Sequence, residues 1–249
     1  MLKTNYAKVS KVYDKNKART SFAKDNDLEE LLSSKEEAVV LDLACGTGNW
    51  LLSQQSHFSG KKIKWIGLDA SKEMLELAKE KDIDAQFIQS NAESFSLNTK
   101  ADFIVCNFAF HHFEDKSLAL QKIFSALNEN GIFKYRNVEP ECMKDWWVYK
   151  YCPETYCEDY KRFWPKDLLC HELRKAGFSN ISVKREYYES QKSVEALLEN
   201  YKRRDASQLA MIGDQEYQRG LKRVELEIAG GAADYKDVIA FLDVKCQKA

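Results

Sequence analysis

The apolar run Val39-Val40-Leu41 leads into Asp42-Leu43-Ala44-Cys45-Gly46-Thr47-Gly48-Asn49-Trp50, and Asp69 follows at the end of Trp65-Ile66-Gly67-Leu68. The stretch before Asp42 predicts a strand buried on both faces. The two glycines let the backbone turn sharply and pass close to a ligand where a β-carbon would collide. Asp69 closes a second predicted strand. A carboxylate about twenty positions beyond a glycine turn recurs in α/β folds that bind nucleosides, because it accepts the hydroxyl protons of a ribose. The third glycine of the dinucleotide fingerprint is missing, with Leu51 in its place, which argues against an NAD loop. Asp42 and Asp69 also have a plainer reading as caps of the helices that follow, since Asp is a favoured N-cap.

Periodicity extends this start into an alternation: strand 39–43, helix 49–56, strand 63–68, helix 71–81, strands 85–90 and 101–106, helix 116–128 and strand 131–137. Strands alternating with helices imply a parallel sheet. Ser71 predicts a cap for the helix carrying Met74, Leu75 and Ala78, and Asn130-Gly131 predicts a helix stop and turn. A helix with Leu168, Leu169 and Leu173 ends at Gly177 and leads into a strand from Ile181 to Tyr187. A last strand, 238–244, is expected to pair antiparallel with it. The expected fold class is α/β, a doubly wound, mostly parallel seven-stranded sheet with an antiparallel final strand and helical cap segments, forming one domain over 1–249.

Three segments lie outside the repeating unit. Residues 1–34 are polar and lysine-rich, with Tyr6, Val9 and Tyr13 on one helical face, and read as an N-terminal helical lid. Residues 138–165 hold all three prolines and Trp146, Trp147 and Trp164. A connection of that length has structure or function of its own, and it leaves a strand at the end where ligands bind in open α/β sheets. Residues 190–230 read as two helices, with Val194, Leu197 and Tyr201 on one apolar face and Tyr217, Leu221 and Val224 on the other. Segments 138–165 and 190–230 are expected to cap the substrate side, and 35–137 to form the cofactor-binding half. Arg203-Arg204 is a secondary candidate for clamping a carboxylate or phosphate.

The 249 residues suffice for a full α/β core, and 38 basic against 39 acidic side chains give a net charge of -1. A near-neutral chain carries no global electrostatic footprint for nucleic acid, so no nucleic-acid partner is expected. The first residues lack an apolar signal core and no run reaches the roughly twenty apolar residues that span a bilayer, so the expectation is a cytoplasmic chain without a membrane partner. Seven cysteines without Cys-x-x-Cys spacing are expected to be free thiols, and no metal site is expected. A soft-metal reading of Cys142 to Cys170, through thiols meeting at one point, stays open beside the plainer reading of small core residues.

Four stations stand at predicted strand ends: Asp42 with the glycine turn, Asp69-Ala70, Gln89-Ser90-Asn91-Ala92-Glu93, and Asn107. With these in register, residues 35 to 137 resemble the class I S-adenosylmethionine-dependent methyltransferases. The resemblance implies S-adenosyl-L-methionine as cofactor. Gly46 and Gly48 would pass its methionine part, Asp42 would lie near its ammonium, and Asp69 would hold the ribose. Ala70 and Met74 would pack on the adenine. Asn91 stands where the family usually has an aspartate that accepts the adenine amino proton, and Ala92 follows it. Asn107 and Phe108 would line the pocket near the transferring methyl. Tyr13-Asp14 would cover the cofactor, with Arg19 as a partner for the methionine carboxylate.

The implied reaction is an in-line displacement in which orientation supplies most of the rate. His111 and His112 are the best-placed bases, because imidazole changes charge near neutral pH; Glu139 and Tyr135 are weaker choices. The expected function is methyl transfer to an oxygen or nitrogen of a small, partly apolar molecule. The alternatives are a non-catalytic cofactor-binding interaction module and, further behind, a nucleic-acid methyltransferase, which would usually show a proline-aromatic motif where Asn107-Phe108-Ala109-Phe110 stands. The oligomeric state is not legible.

Overall fold

The computed structural model describes Asp14, Thr20 and residues 22–204 and 206–249. The chain divides into two compact units, a sheet unit that ends its first stretch at Asn137 and adds Asp167–Val183 and Asp243–Ala249, and a second unit of Val138–Lys166 and Lys184–Leu242.

The sheet unit opens with α1 (Asn26–Ser33), whose cap Asp25 accepts from the N–H groups of Asp27 and Leu28. Within the stretch expected as a lid, this helix belongs to the core: Leu28 and Leu32 are buried in one cluster with Val40, Trp50 and Phe103. Then follow β1 (Glu37–Leu43), α2 (Asn49–His57), β2 (Lys62–Asp69), α3 (Lys72–Lys79), β3 (Gln86–Gln89), β4 (Ala101–Asn107), a 3-10 turn at Phe110–His112, α4 (Lys116–Ala126) and β5 (Leu127–Val138). All of β4 before Asn107 is buried, as expected for a strand covered on both faces. Ser71 caps α3 through the Met74 N–H, as its position predicts.

Seven strands form one sheet in the order β3-β2-β1-β4-β5-β7-β6, where β6 is Phe178–Ser193 and β7 is Asp234–Lys248. The pairs β1/β2, β1/β4, β2/β3 and β4/β5 are parallel. The last strands are antiparallel: Asn180 bonds Gln247 near the start of β6, and Lys192 meets Asp237 near its end. The direction of strand growth reverses between β1 and β4, which makes their carboxyl ends the switch point where open α/β sheets take ligands.

Several boundaries differ from the periodicity. β5 begins at Leu127, inside the expected helix, because Leu127 pairs with Ala101 while Ile132 pairs with Phe103. The intervening residues bulge from the ladder, with Asn130 at φ 62. Gly131 is required there, since a β-carbon would lie 2.8 Å from the Asn128 carbonyl oxygen. β6 and β7 run beyond the expected 181–187 and 238–244, through both units.

The second unit contains a 3-10 turn at Pro140–Cys142, α5 (Trp147–Tyr151), α6 (Pro153–Arg162), α8 (Val194–Lys202), α9 (Ser207–Met211) and α10 (Asp214–Ala229), while α7 (Lys166–Lys175) falls almost wholly in the sheet unit. Where two helices were expected over 190–230 there are three, and residues 190–193 still belong to β6. Trp147, Val148, Tyr151, Val194, Leu197, Tyr201, Leu209 and Val224 make its core. Its buried charges are paired. Asp159 accepts from Tyr149 Oη and Gln208 Nε2, each at 2.8 Å, and from Arg162. Glu139 takes Arg185 bidentately at 2.5 and 2.7 Å. Arg203 and Arg204 are engaged by their own chain, with Asn200 and with the Tyr217 ring respectively.

All seven cysteines are free thiols: five are buried, Cys142 is half-buried and Cys157 is exposed. No group of three or more His, Cys, Asp or Glu side chains converges as a metal site among the described residues. No helix among them is long and apolar enough to cross a membrane.

Candidate cofactor site

The glycine turn leaves β1 at Asp42 and enters α2 at Asn49. Left-handed backbones at three alternate residues build it: Ala44 at φ 60, Gly46 at φ 55 and Gly48 at φ 74. At Gly48 a β-carbon would also crowd Ile83 Cδ1, at 2.7 Å, and Ala78 Cβ, at 3.3 Å. Among the described residues, a β-carbon on Gly46 would meet nothing within 4 Å, so the turn is open to them on that side. The Cys45 N–H donates to the Leu68 carbonyl at 2.9 Å and the Gly48 N–H to the Cys45 carbonyl at 2.9 Å.

Asp69 ties the ends of the first two strands together. One carboxylate oxygen accepts the Gly46 N–H at 2.8 Å and the other accepts the Ser71 N–H at 2.8 Å. The cap reading and the cofactor reading of this residue are therefore compatible. With about four lone-pair sites on its two oxygens, the carboxylate can still take a further donor. Burial raises its pKa, against the lowering effect of the Ser71, Gly46 and Ala70 N–H groups.

Asp42 has a different environment. It is only 2% exposed, paired in register with Gly67 of β2 and Val105 of β4. Its carboxyl makes no hydrogen bond among the described residues. Burial, with a smaller contribution from the Asp69 charge, pushes its pKa up to about 8. A buried carboxyl without a counter-charge is costly to ionise. A cation placed beside it would restore the charge. Burial, with Asp42 and Asp69 added, also pushes the Cys45 thiol up, so that Cys45 is not a nucleophile.

The other stations fall as follows. Ala70 is exposed, Met74 is buried in α3, Asn91 is exposed and Ala92 is buried. Gln89 pairs with Asp69 across β2 and β3, which brings Asn91 and Ala92 to the same sheet end. Asn107 closes β4, and its Nδ2 is buried without a hydrogen-bond partner among the described residues. Phe108 holds a left-handed backbone at φ 54, uncommon for a bulky residue and a mark of local strain at a working site. Tyr13 and Arg19 lie outside the described residues.

His111 is buried and its Nδ1 lies 3.1 Å from Asn137 Nδ2, while the His112 ring stacks on it at 3.9 Å between centroids. An amide nitrogen only donates, so in this orientation Nδ1 accepts and the neutral ring carries its proton on Nε2. Asn137 was not expected; its only signal was a polar side chain near the end of an apolar strand. Asp14, expected with Tyr13 over the cofactor, joins Thr47, Asn49 and Lys81 in a group around the glycine turn.

These residues fit S-adenosylmethionine. The uncompensated carboxyl of Asp42 suits a cationic ligand, Gly46 leaves space, and the Asn107 amide holds an unused donor. A methyltransferase-domain family model matches residues 40–131, the β1-to-β5 stretch that carries these stations. Over residues 40–131 the chain is thus similar to methyltransferase domains.

Among curated proteins it is 33% identical over 139 residues to the uncharacterized methyltransferase YcgJ of Bacillus subtilis, covering 52% of each chain. It is 33% identical over 134 residues to the demethylmenaquinone methyltransferase of Lactococcus lactis, covering 49% of this chain and 52% of that one. The match thus spans about half the length of these relatives. Among solved structures, a putative methyltransferase from an antibiotic biosynthesis pathway of Anabaena variabilis superposes with a TM-score of 0.67 at 18% identity, over 88% of this chain and 94% of that one. The plantazolicin methyltransferase BamL, solved with a desmethylplantazolicin analogue and SAH, gives 0.59 at 19% identity over 97% and 90%. At these identities the superpositions establish the fold.

Proposed function

We propose that this chain transfers the methyl group of S-adenosylmethionine to an oxygen or nitrogen of a small, partly apolar molecule. The observation that carries the reading is the buried Asp42 carboxyl, without a hydrogen-bond partner among the described residues, beside a glycine turn open at Gly46. When bound, S-adenosylmethionine supplies an electrophilic methyl on a sulfonium. In this reading Asp42 gives up its proton and compensates cofactor charge, Asp69 accepts ribose hydroxyls, and Ala70, Met74, Asn91 and Ala92 bound the adenine. Asn107 and Phe108 face the reacting end.

His111, with His112 stacked on it, is the proposed base. That role requires the Asn137 amide to turn over, so that its oxygen accepts from Nδ1–H and the proton would be taken at Nε2; the turn exchanges donor and acceptor with little change of shape. In the present orientation His111 instead offers a donor to the acceptor molecule. A His111→Asn variant separates the two: loss of the acidic limb of the pH–rate profile marks a base, whereas an unchanged profile with raised KM marks a positioning donor.

The test of the function is incubation of the protein with labelled cofactor and a panel of phenols, amines, small acids and quinols. Quinols are included because relatives bear the names demethylmenaquinone methyltransferase and ubiquinone/menaquinone biosynthesis C-methyltransferase. Transfer to a phenol or amine supports the proposal, and transfer to quinol carbon alone replaces its acceptor atom. Tight cofactor binding with no turnover on the whole panel favours the non-catalytic binding module.

A further inference from the structure

Four side chains close a knot around the outside of the glycine turn. Lys81, just beyond α3, donates to the Thr47 carbonyl at 2.7 Å, to Asn49 Oδ1 at 2.5 Å and to Asp14 Oδ2 at 2.8 Å. The other Asp14 oxygen accepts from Thr47 Oγ1 and Asn49 Nδ2, both at 2.8 Å. Each of the four touches at least two others, and the links join parts of the chain more than thirty residues apart.

The turn has reason to need an external hold. Gly48, the N-cap of α2, makes no side-chain cap bond, so the helix start is not secured by its own cap residue. Glycine also loses more conformational freedom on ordering than other residues. Thr47 stands between the two glycines, and its carbonyl and hydroxyl are both taken by the knot. Lys81 has about one fifth of its side chain exposed, which limits screening of its ion pair with Asp14. Although partial burial opposes ionisation of Asp14, hydrogen bonds from Lys81, Asn49 and Thr47 hold its carboxyl below the usual range.

We propose that Lys81 and Asp14 are positioning residues for the cofactor, a coupled pair that pre-sets the Cys45–Asn49 turn in its binding conformation without touching the ligand. The proposal rests on the assignment of that turn to the cofactor. Pre-organisation shows in affinity, because a turn already ordered loses less freedom when the ligand arrives.

Calorimetry on the full chain with S-adenosylmethionine and S-adenosylhomocysteine tests it, in the wild type, Lys81→Met, Asp14→Asn, the double variant and Lys81→Arg. Breaking a charge-assisted bond in this setting is expected to weaken binding about tenfold in each of the first two variants. For residues acting as one unit, the double variant should bind within about twofold of the weaker single. Lys81→Arg, which keeps the charge, should recover most of the affinity. Unchanged affinity in Lys81→Met and Asp14→Asn overturns the proposal, as does a lowered melting temperature with unchanged Kd, or losses that multiply in the double variant. Should Lys81→Met lack a cooperative melt, Thr47→Val removes one hydroxyl bond and is expected to weaken binding about threefold; equal affinity there overturns the proposal as well. A wild type that binds neither compound overturns instead the assignment of the turn.

Discussion

The two units treat buried charge in opposite ways. In the unit of Val138–Lys166 and Lys184–Leu242, Asp159 and Arg162 are buried together, Tyr149 and Gln208 complete the carboxylate's bonding, and Glu139 is matched by the two-pronged guanidinium of Arg185. In the sheet unit Asp42 is equally buried, yet nothing described bonds to it and its neighbour Asp69 repels it. Elsewhere in the same unit the rule is pairing again, as between Asp25 and Lys134 or Asp102 and Lys35. A satisfied buried charge tells how a core is built. An unsatisfied one at a switch point tells where something else is meant to arrive.

The contrast breaks most easily on stability. Asp159→Ala leaves Arg162 buried without its partner and is expected to cost about 3–5 kcal/mol in urea unfolding. Asp42→Asn keeps a neutral group in the folded protein and removes a carboxyl that the unfolded chain ionises, so it should not destabilise at neutral pH. Equal losses would abolish the distinction. Next in size is Asp69→Ala, which removes the proposed ribose acceptor and the tie to Gly46; cofactor affinity by calorimetry should fall about a hundredfold, and equal affinity would remove Asp69 from the site.

The last test sharpens the comparison through pH. The Asp42 pKa is raised from the ordinary 3.8 to about 8, so the folded protein keeps a proton that the unfolded chain releases. Its contribution to stability is full below about pH 4, declines as pH rises towards 8, and is flat above, with a slope of at most about 1.4 kcal/mol per pH unit. Urea midpoints of the cofactor-free protein between pH 5 and 9 should follow that course relative to Asp42→Asn. Cofactor affinity should run the other way, rising with pH up to about 8, because the proton must leave before the carboxylate can face a cation. Parallel pH curves for wild type and variant would mean that Asp42 is already ionised.

Legibility from the sequence followed the range of the interactions. β1, β2 and β4 were readable because burial on both faces demands continuous apolar runs, and Gly46, Gly48 and Asp69 because the turn and the second strand end are local patterns. β6 was not fully readable: most of its length is exposed, Tyr187 and Tyr188 included, so no alternation of buried and wet residues marks its end at Ser193. The Asn137–His111 contact and the Lys81–Asp14 knot join side chains far apart in the chain. Lys81 is the last residue of the expected helix 71–81, and only the fold brings it to Thr47.

The distribution of thiols has a practical side. Cys45 and Cys106 are sealed in the sheet unit and held in their protonated state by burial, whereas Cys157 on α6 is exposed. A maleimide dye offered in limiting amount should therefore settle on Cys157, giving an optical reporter for ligand titrations that leaves the glycine turn chemically intact.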